Sequence, residues 1–136
     1  MSLEMVAGQE KQAMAHSIPN PVVHLELRTG NLPCACAFYA RLFEWRAEVV
    51  RTGSGEYLAL ALGDRIDGGV VEHETRRPYW LPYVEVPDVT AVTEQAHALG
   101  AEVCLPPREG PVGWRSVVAS PAGGMLGLWQ PKTRER

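Results

Sequence analysis

The sequence predicts an α+β fold in which one strand–helix–strand–strand–strand unit occurs twice, its strands joined into a curled mixed-sheet cup. Three observations carry that prediction. Val22-Val23-His24-Leu25-Glu26-Leu27-Arg28 alternates apolar and polar residues, the period of a half-buried strand. The element order that begins there begins again at Trp80, after a linker at Arg76-Arg77-Pro78. Short matches also recur at nearly constant spacing. Ala47-Glu48-Val49 returns as Ala101-Glu102-Val103 at an offset of 54, and Gly68-Gly69-Val70-Val71 as Gly123-Gly124-Met125-Leu126 at 55.

Residues 1–19 show no sustained period and read as an N-terminal tail, which Pro19-Asn20-Pro21 ends. In the first strand Val23, Leu25 and Leu27 share one face, and His24, Glu26 and Arg28 the other. Thr29-Gly30-Asn31 is a turn that supplies Asn31 as an N-cap. A helix then runs to Phe43, with Pro33 in the first turn, where its missing N–H costs nothing. Three strands follow near residues 45–51, 56–62 and 69–74, separated by Gly53-Ser54-Gly55 and Gly63-Asp64. In the second half a strand at 80–86 leads through Pro87 to Asp88 as N-cap. Val89, Val92, Ala96 and Leu99 then mark a helix that Gly100 ends. Strands near 102–105, 114–119 and 125–130 complete the repeat. The reading is one domain over 20–131, with modules at 20–75 and 79–131 and a tail at 132–136.

The bulk numbers exclude several classes. A chain of 136 residues suits one principal core, and 46% hydrophobic with 21% charged residues is a globular balance. The net charge of −3, without a basic stripe, argues against nucleic-acid binding, which needs concentrated positive charge. No apolar run approaches the ~20 residues of a membrane span. No basic segment followed by an apolar core opens the chain, so a cytoplasmic location is expected. Cys34, Cys36 and Cys104 are odd in number and fit no common zinc spacing, so free thiols are expected.

His24-Leu25-Glu26-Leu27-Arg28, Asn31, Phe38-Tyr39, Leu42-Phe43 and Trp45 resemble the opening of vicinal oxygen chelate modules, the glyoxalase, bleomycin resistance protein and dioxygenase superfamily. Glu44 stands where that pattern usually has Gly. The second half is similar too, at Trp80 to Val86 before Asp88, at Ala98-Leu99-Gly100-Ala101, at Ser120-Pro121-Ala122-Gly123-Gly124 and at Leu126 to Gln130. The resemblance covers about residues 20–131. It implies paired βαβββ modules forming a cup, often in a homodimer. It does not fix a reaction, because the fold hosts isomerases, lyases, dioxygenases and drug binders.

The resemblance also implies metal ligands on the first and last strand of each module. Counting back from Asn31, His24 falls on the first-strand position. Aligning the Gly-Gly pairs sets Glu72 opposite Gly127 at the last-strand position, with His73 on the other strand face. In the second half the first-strand position is Leu81 or Pro82, so neither second-half position offers a side-chain donor. Divalent sites in catalytic proteins usually take ~3 protein ligands, and His24 with Glu72 is half of one. No usual metal is therefore expected; a substrate-chelated divalent ion helped by Glu26 is the alternative.

By strand parity the cup is lined by His24, Glu26 and Arg28, by Leu81, Tyr83 and Glu85, by Met125, Gly127 and Trp129, and by Tyr57, Ala59 and Ala61. Ligand contact is assigned to His24, Glu26, Tyr57, Glu72, Tyr83, Met125 and Trp129. Structural alternatives stand beside these. His24 would hydrogen-bond Glu26 or Glu72, Arg28 would pair with Glu85, and Tyr83 and Trp129 would fill core or bury against a second chain. Gly127 removes a ligand and also makes room. His16 and His97 read as solvated. Three functions follow. One is a metal-free small-molecule binder. The second is an enzyme, either metal-assisted or using His24 with Glu26 or Glu72 as an acid–base pair. The third is an interaction domain whose cup a partner closes.

Overall fold

The structure, a computed structural model, describes residues 19–52, 55–63, 66–72, 77–110 and 112–132, and at Thr52 and 55–57 the backbone alone. The tail expected before Pro19, with His16, lies outside the described residues, as do His73 and the side chain of Tyr57. The elements are β1 (Val22–Thr29), α1 (Leu32–Phe43), β2 (Ala47–Thr52), β3 (Gly55–Ala61), β4 (Asp67–Glu72), β5 (Tyr79–Glu85), α2 (Val89–Ala98), β6 (Glu102–Glu109), β7 (Gly113–Ala119) and β8 (Met125–Pro131). The duplicated order is present as the sequence predicts.

Local chemistry sets the helix ends. The Asn31 side chain accepts from the Cys34 N–H at 3.0 Å, and Asp88 accepts from Ala91 at 3.1 Å. Each satisfies a donor the first turn leaves free. Glu44 closes α1 in the left-handed conformation, φ 59° and ψ 27°, its N–H donating to Ala40 at 2.8 Å. This explains why the resembling pattern carries Gly there. A side chain in that region costs roughly 1–2 kcal/mol, partly offset by the extra unfolded-state freedom of Gly. Glu44→Gly is therefore expected to stabilise the protein by about 0.5–1 kcal/mol, read as a higher urea midpoint.

The strands form one open eight-stranded sheet ordered β2-β3-β4-β1-β5-β8-β7-β6. β1–β4 and β5–β8 are parallel, and β1 meets β5 antiparallel at the seam between the halves. Both helices cover the same face. Under α1, Leu27, Leu60 and Val70 pack with Leu32, Tyr39, Trp45 and Trp80; under α2, Val86, Val89, Val118 and Leu128 pack with Val92 and Ala96. Thr93 and Ser116 are buried polar groups between α2 and β7. Thr93 donates to the Val89 carbonyl at 2.6 Å, so the 2.7 Å contact to Ser116 must use the Ser116 proton. Both hydroxyls are thereby satisfied.

β6 runs to Glu109 rather than ending near residue 105, passing through Pro106 and Pro107. It is an edge strand, where a missing N–H is tolerated. A register shift between Val103 and Leu105 turns Leu105 to the face without helices, where it packs with Leu81 and Tyr83.

The relation between the halves differs from the sequence alignment at one place. Asn31 and Asp88 hold the same cap position 57 residues apart. On that spacing Glu26 corresponds to Tyr83, and His24 to Leu81. The ladders set Glu26 opposite Gly69 and Tyr83 opposite Gly127. Gly69 is thus the counterpart of Gly127, and Gln130 that of Glu72. Aligning the Gly-Gly pairs misleads because they do different work. Gly68 and Gly69 lie within β4, whereas Gly123 and Gly124 make the turn before β8 at φ +98° and +90°.

Candidate ligand cup

The face away from the helices carries the candidate residues. Along the β1–β5 seam His24 pairs with Tyr83, Glu26 with Leu81 and Arg28 with Tyr79. On the β8 side Tyr83 pairs with Gly127 and Glu85 with Trp129, and β7 sets Arg115 opposite Trp129 and Val117 opposite Gly127. Ala59 and Ala61 reach the same face across from Gly69 and Asp67, and Tyr57 continues that row by its backbone, opposite Val50.

The floor is filled. Leu81, Tyr83 and Val117 are 0%, 4% and 1% exposed, packed with Tyr79, Leu105, Met125 and Trp129. The Tyr83 ring lies directly on Gly127, so that a Cβ there would overlap it. The room expected at Gly127 is occupied by Tyr83.

A polar network crosses this floor. Arg28 Nε donates to Glu26 Oε1 at 3.0 Å, the Tyr83 hydroxyl donates to the same oxygen at 3.3 Å, and Arg115 Nη1 donates to the Tyr83 hydroxyl at 3.0 Å. Arg28 Nη1 also reaches the Tyr79 hydroxyl at 3.5 Å. Burial raises the Tyr83 pKa, the Glu26 charge adds to this, and Arg115 and Arg28 oppose it, so at neutral pH the phenol keeps the proton it gives Glu26. Burial works against the Arg28 charge, but Glu26, Tyr83 and Tyr79 outweigh it and hold its pKa above the ordinary value.

His24 is half-buried and packs edge-on against Tyr83, ring centroids 5.6 Å apart at 76°. Burial lowers its pKa, with Glu26 and Asp67 partly countering, so the ring is neutral at pH 7. The unfolded chain therefore binds the proton more readily. The stability this gives is complete above about pH 6.5, the unfolded value, and is lost as pH falls from there toward the folded pKa. Between pH 7 and 5 the wild type should lose more stability than His24→Gln, measured by urea titration at each pH.

Several expected residues fall elsewhere. Glu72 pairs with Thr29, so it belongs with Leu27 and Val70 on the helix face, where it is exposed. It lies five residues along the ladder from Asp67, the partner of His24, about 16 Å at the rise of a strand. His24 and Glu72 therefore form neither a metal pair nor an acid–base pair. Arg28 pairs with Glu26 and not with Glu85, which lies at the far end of β5 from Tyr79, the partner of Arg28. The sequence reading missed Arg115, Tyr79 and Asp67. The signal for Arg115 was available, because Gly113, Arg115, Val117 and Ala119 form one alternating row of β7.

Among the described residues, no three His, Cys, Asp or Glu side chains come together in a way that would hold a metal ion. Glu26, beside His24, already accepts from Arg28 and Tyr83. The described donors do not fit the superfamily's usual divalent ion.

Two parallel-ladder modules joined antiparallel through β1 and β5, with both helices on one face, define the class: the chain has the fold of the vicinal oxygen chelate superfamily. The comparisons agree with that fold. The chain is 30% identical over 114 residues to CFP32 of Mycobacterium tuberculosis and of Mycobacterium bovis, a protein named as a candidate glyoxylase. The match takes in 78% of this chain and 44% of CFP32, so the chain spans less than half the length of these relatives. Among solved structures, methylmalonyl-CoA epimerase from Mycobacterium tuberculosis superposes with a TM-score of 0.61 at 14% identity, over 82% of this chain and 88% of that one. The hypothetical protein BH1468 of Bacillus halodurans C-125 gives 0.66 at 12%, over 86% and 98%. A Streptomyces coelicolor methylmalonyl-CoA epimerase variant in complex with 2-nitronate-propionyl-CoA gives 0.61 at 13%, over 88% and 99%. No protein-family model matches the chain.

Proposed function

We propose that the chain is a small-molecule-binding protein of this superfamily that uses its cup without the usual metal, as the drug-sequestering members do. One observation carries the reading. The face without helices has an apolar floor of Leu81, Val117, Met125 and Trp129 crossed by one directed polar network. Apolar walls with a few fixed polar groups are the usual composition of a ligand site. His24, Arg28 and Arg115 are half-buried on the same face. Several of the solved neighbours are in complex with CoA esters, which supports a small organic ligand. On this reading residues 20–131 act as one domain of modules 20–75 and 79–131, in a cytoplasmic homodimer. Among the described residues no helix is long and apolar enough to cross a membrane.

The test is tryptophan fluorescence with a panel of aromatic, polyketide-like and acyl-thioester ligands. Saturable quenching is expected, lost in Trp129→Phe, because the other tryptophans, Trp45, Trp80 and Trp114, pack on the helix side. A panel without saturable quenching, or quenching unchanged in Trp129→Phe, overturns the reading. A second reading, an acid–base enzyme, draws on the burial that keeps His24 neutral and able to accept a proton. It requires His24→Ala to abolish turnover while ligand affinity is retained.

A further inference from the structure

Among the described residues, two partly buried guanidinium groups, Arg28 and Arg115, share the face without helices with one buried carboxylate, Glu26, and the exposed Arg108 stands opposite Arg115 on β6. Glu26 Oε1 answers Arg28 through a 3.0 Å ion pair, whereas Arg115 donates to the neutral hydroxyl of Tyr83, also at 3.0 Å. Among the described residues, no carboxylate lies within ion-pair distance of Arg115. Glu85 is in the same cross-strand row, but Trp129 stands between them. Asp67 is across the seam beside His24. Arg115 is half-buried, so water screens its charge only in part.

A guanidinium presents five N–H donors in a rigid plane, and Tyr83 takes one of them. Tyr83 offers no donor in return, since its own proton goes to Glu26. The remaining donors suit a planar pair of anionic oxygens. Beside them lies Trp129, opposite Arg115 on β8 and half-buried on the same face.

We propose that the cup takes the carboxylate of a small organic acid with an apolar body, the acid group paired with Arg115 and the body against Trp129. The inference rests on the cup being the binding site and adds the ligand's chemical class. Arg115 is the specificity-determining residue; the other positive groups of this face are Arg28, its own charge spent on Glu26, and Arg108, opposite Arg115 on β6. A neutral amide of the same shape lacks the charge and one acceptor oxygen, and binds weakly.

Benzoate and benzamide, titrated into ¹⁵N-labelled protein at ionic strength held constant with sodium chloride, test this. The readouts are the Arg115 Nε–Hε and Trp129 indole N–H resonances. Benzoate is expected to move both saturably along one curve, with benzamide and the Arg115→Gln variant each weaker by at least about tenfold. If Arg115→Gln fails to give a dispersed spectrum, Arg115→Lys replaces it and should weaken benzoate by about threefold to tenfold, since it keeps charge but loses the planar fork. Equal Trp129 shifts from benzoate and benzamide that survive loss of Arg115 would overturn the pairing and leave the cup as a binding site. No saturable shift from benzoate up to about 20 mM, weaker than any specific site warrants, would also overturn it; the wider ligand panel then decides separately whether the cup binds anything.

Discussion

Gly127→Ala is expected to destabilise the protein by about 1–3 kcal/mol, the range for forcing extra volume into a packed interior. The sign is the informative part. Glycine inside a strand is ordinarily the poorer choice, and alanine recovers roughly 0.5–1 kcal/mol of backbone entropy. Here the new Cβ would overlap Cδ2, Cε2 and Cγ of Tyr83. That ring is 4% exposed, tied to Glu26 and Arg115 through its hydroxyl and packed among Leu81 and Val117, so it cannot swing aside freely. Tyr83→Ala alone should cost about 3–5 kcal/mol as a large-to-small core change. In that background Gly127→Ala should become neutral or stabilising. Such a non-additive pair, measured by urea denaturation of all four proteins, is the signature of direct contact. Additive costs would place the ring elsewhere.

Glu26→Leu is expected to lower stability by about 3 kcal/mol, the cost of leaving a mostly buried cation without its partner. Arg28 and Glu26 side chains are 13% and 12% exposed, so water replaces the lost carboxylate poorly. Tyr83 also loses its acceptor. The double variant Glu26→Leu with Arg28→Met removes both charges together and should recover more than half of the loss. Because the pair is buried, added salt should change the single-variant cost little. A cost under about 0.5 kcal/mol would match an exposed ion pair instead.

The fold was legible because its signals are local. Alternation in β1 separates Leu25 and Leu27 from His24, Glu26 and Arg28. Asn31 and Asp88 announce their helices by short-range capping chemistry that the structure shows at 3.0 and 3.1 Å. The metal position was harder to read, since it depended on register across a parallel pair, which no local rule supplies. Gly68-Gly69 and Gly123-Gly124 look alike as letters, yet one pair sits inside a strand and the other makes a left-handed turn. Aligning them moved Glu72 onto the wrong face, because each residue of slip inverts a strand's sides. Arg115 lay in the readable row of β7, but its role emerges only when β5 and β8 set Tyr83 within its reach. Leu105 depends on a bulge that nothing in its neighbouring residues signals.

Nuclear Overhauser contacts in the folded protein address the arrangement at its root. Strong cross-peaks are predicted from the Tyr83 ring to the Gly127 Hα protons, alongside contacts from the His24 ring to Tyr83 and none from His24 to Glu72. Cross-peaks joining His24 to Glu72, with Tyr83 silent toward Gly127, would mean that the donor side chains share a hollow after all and that the floor is not the one described.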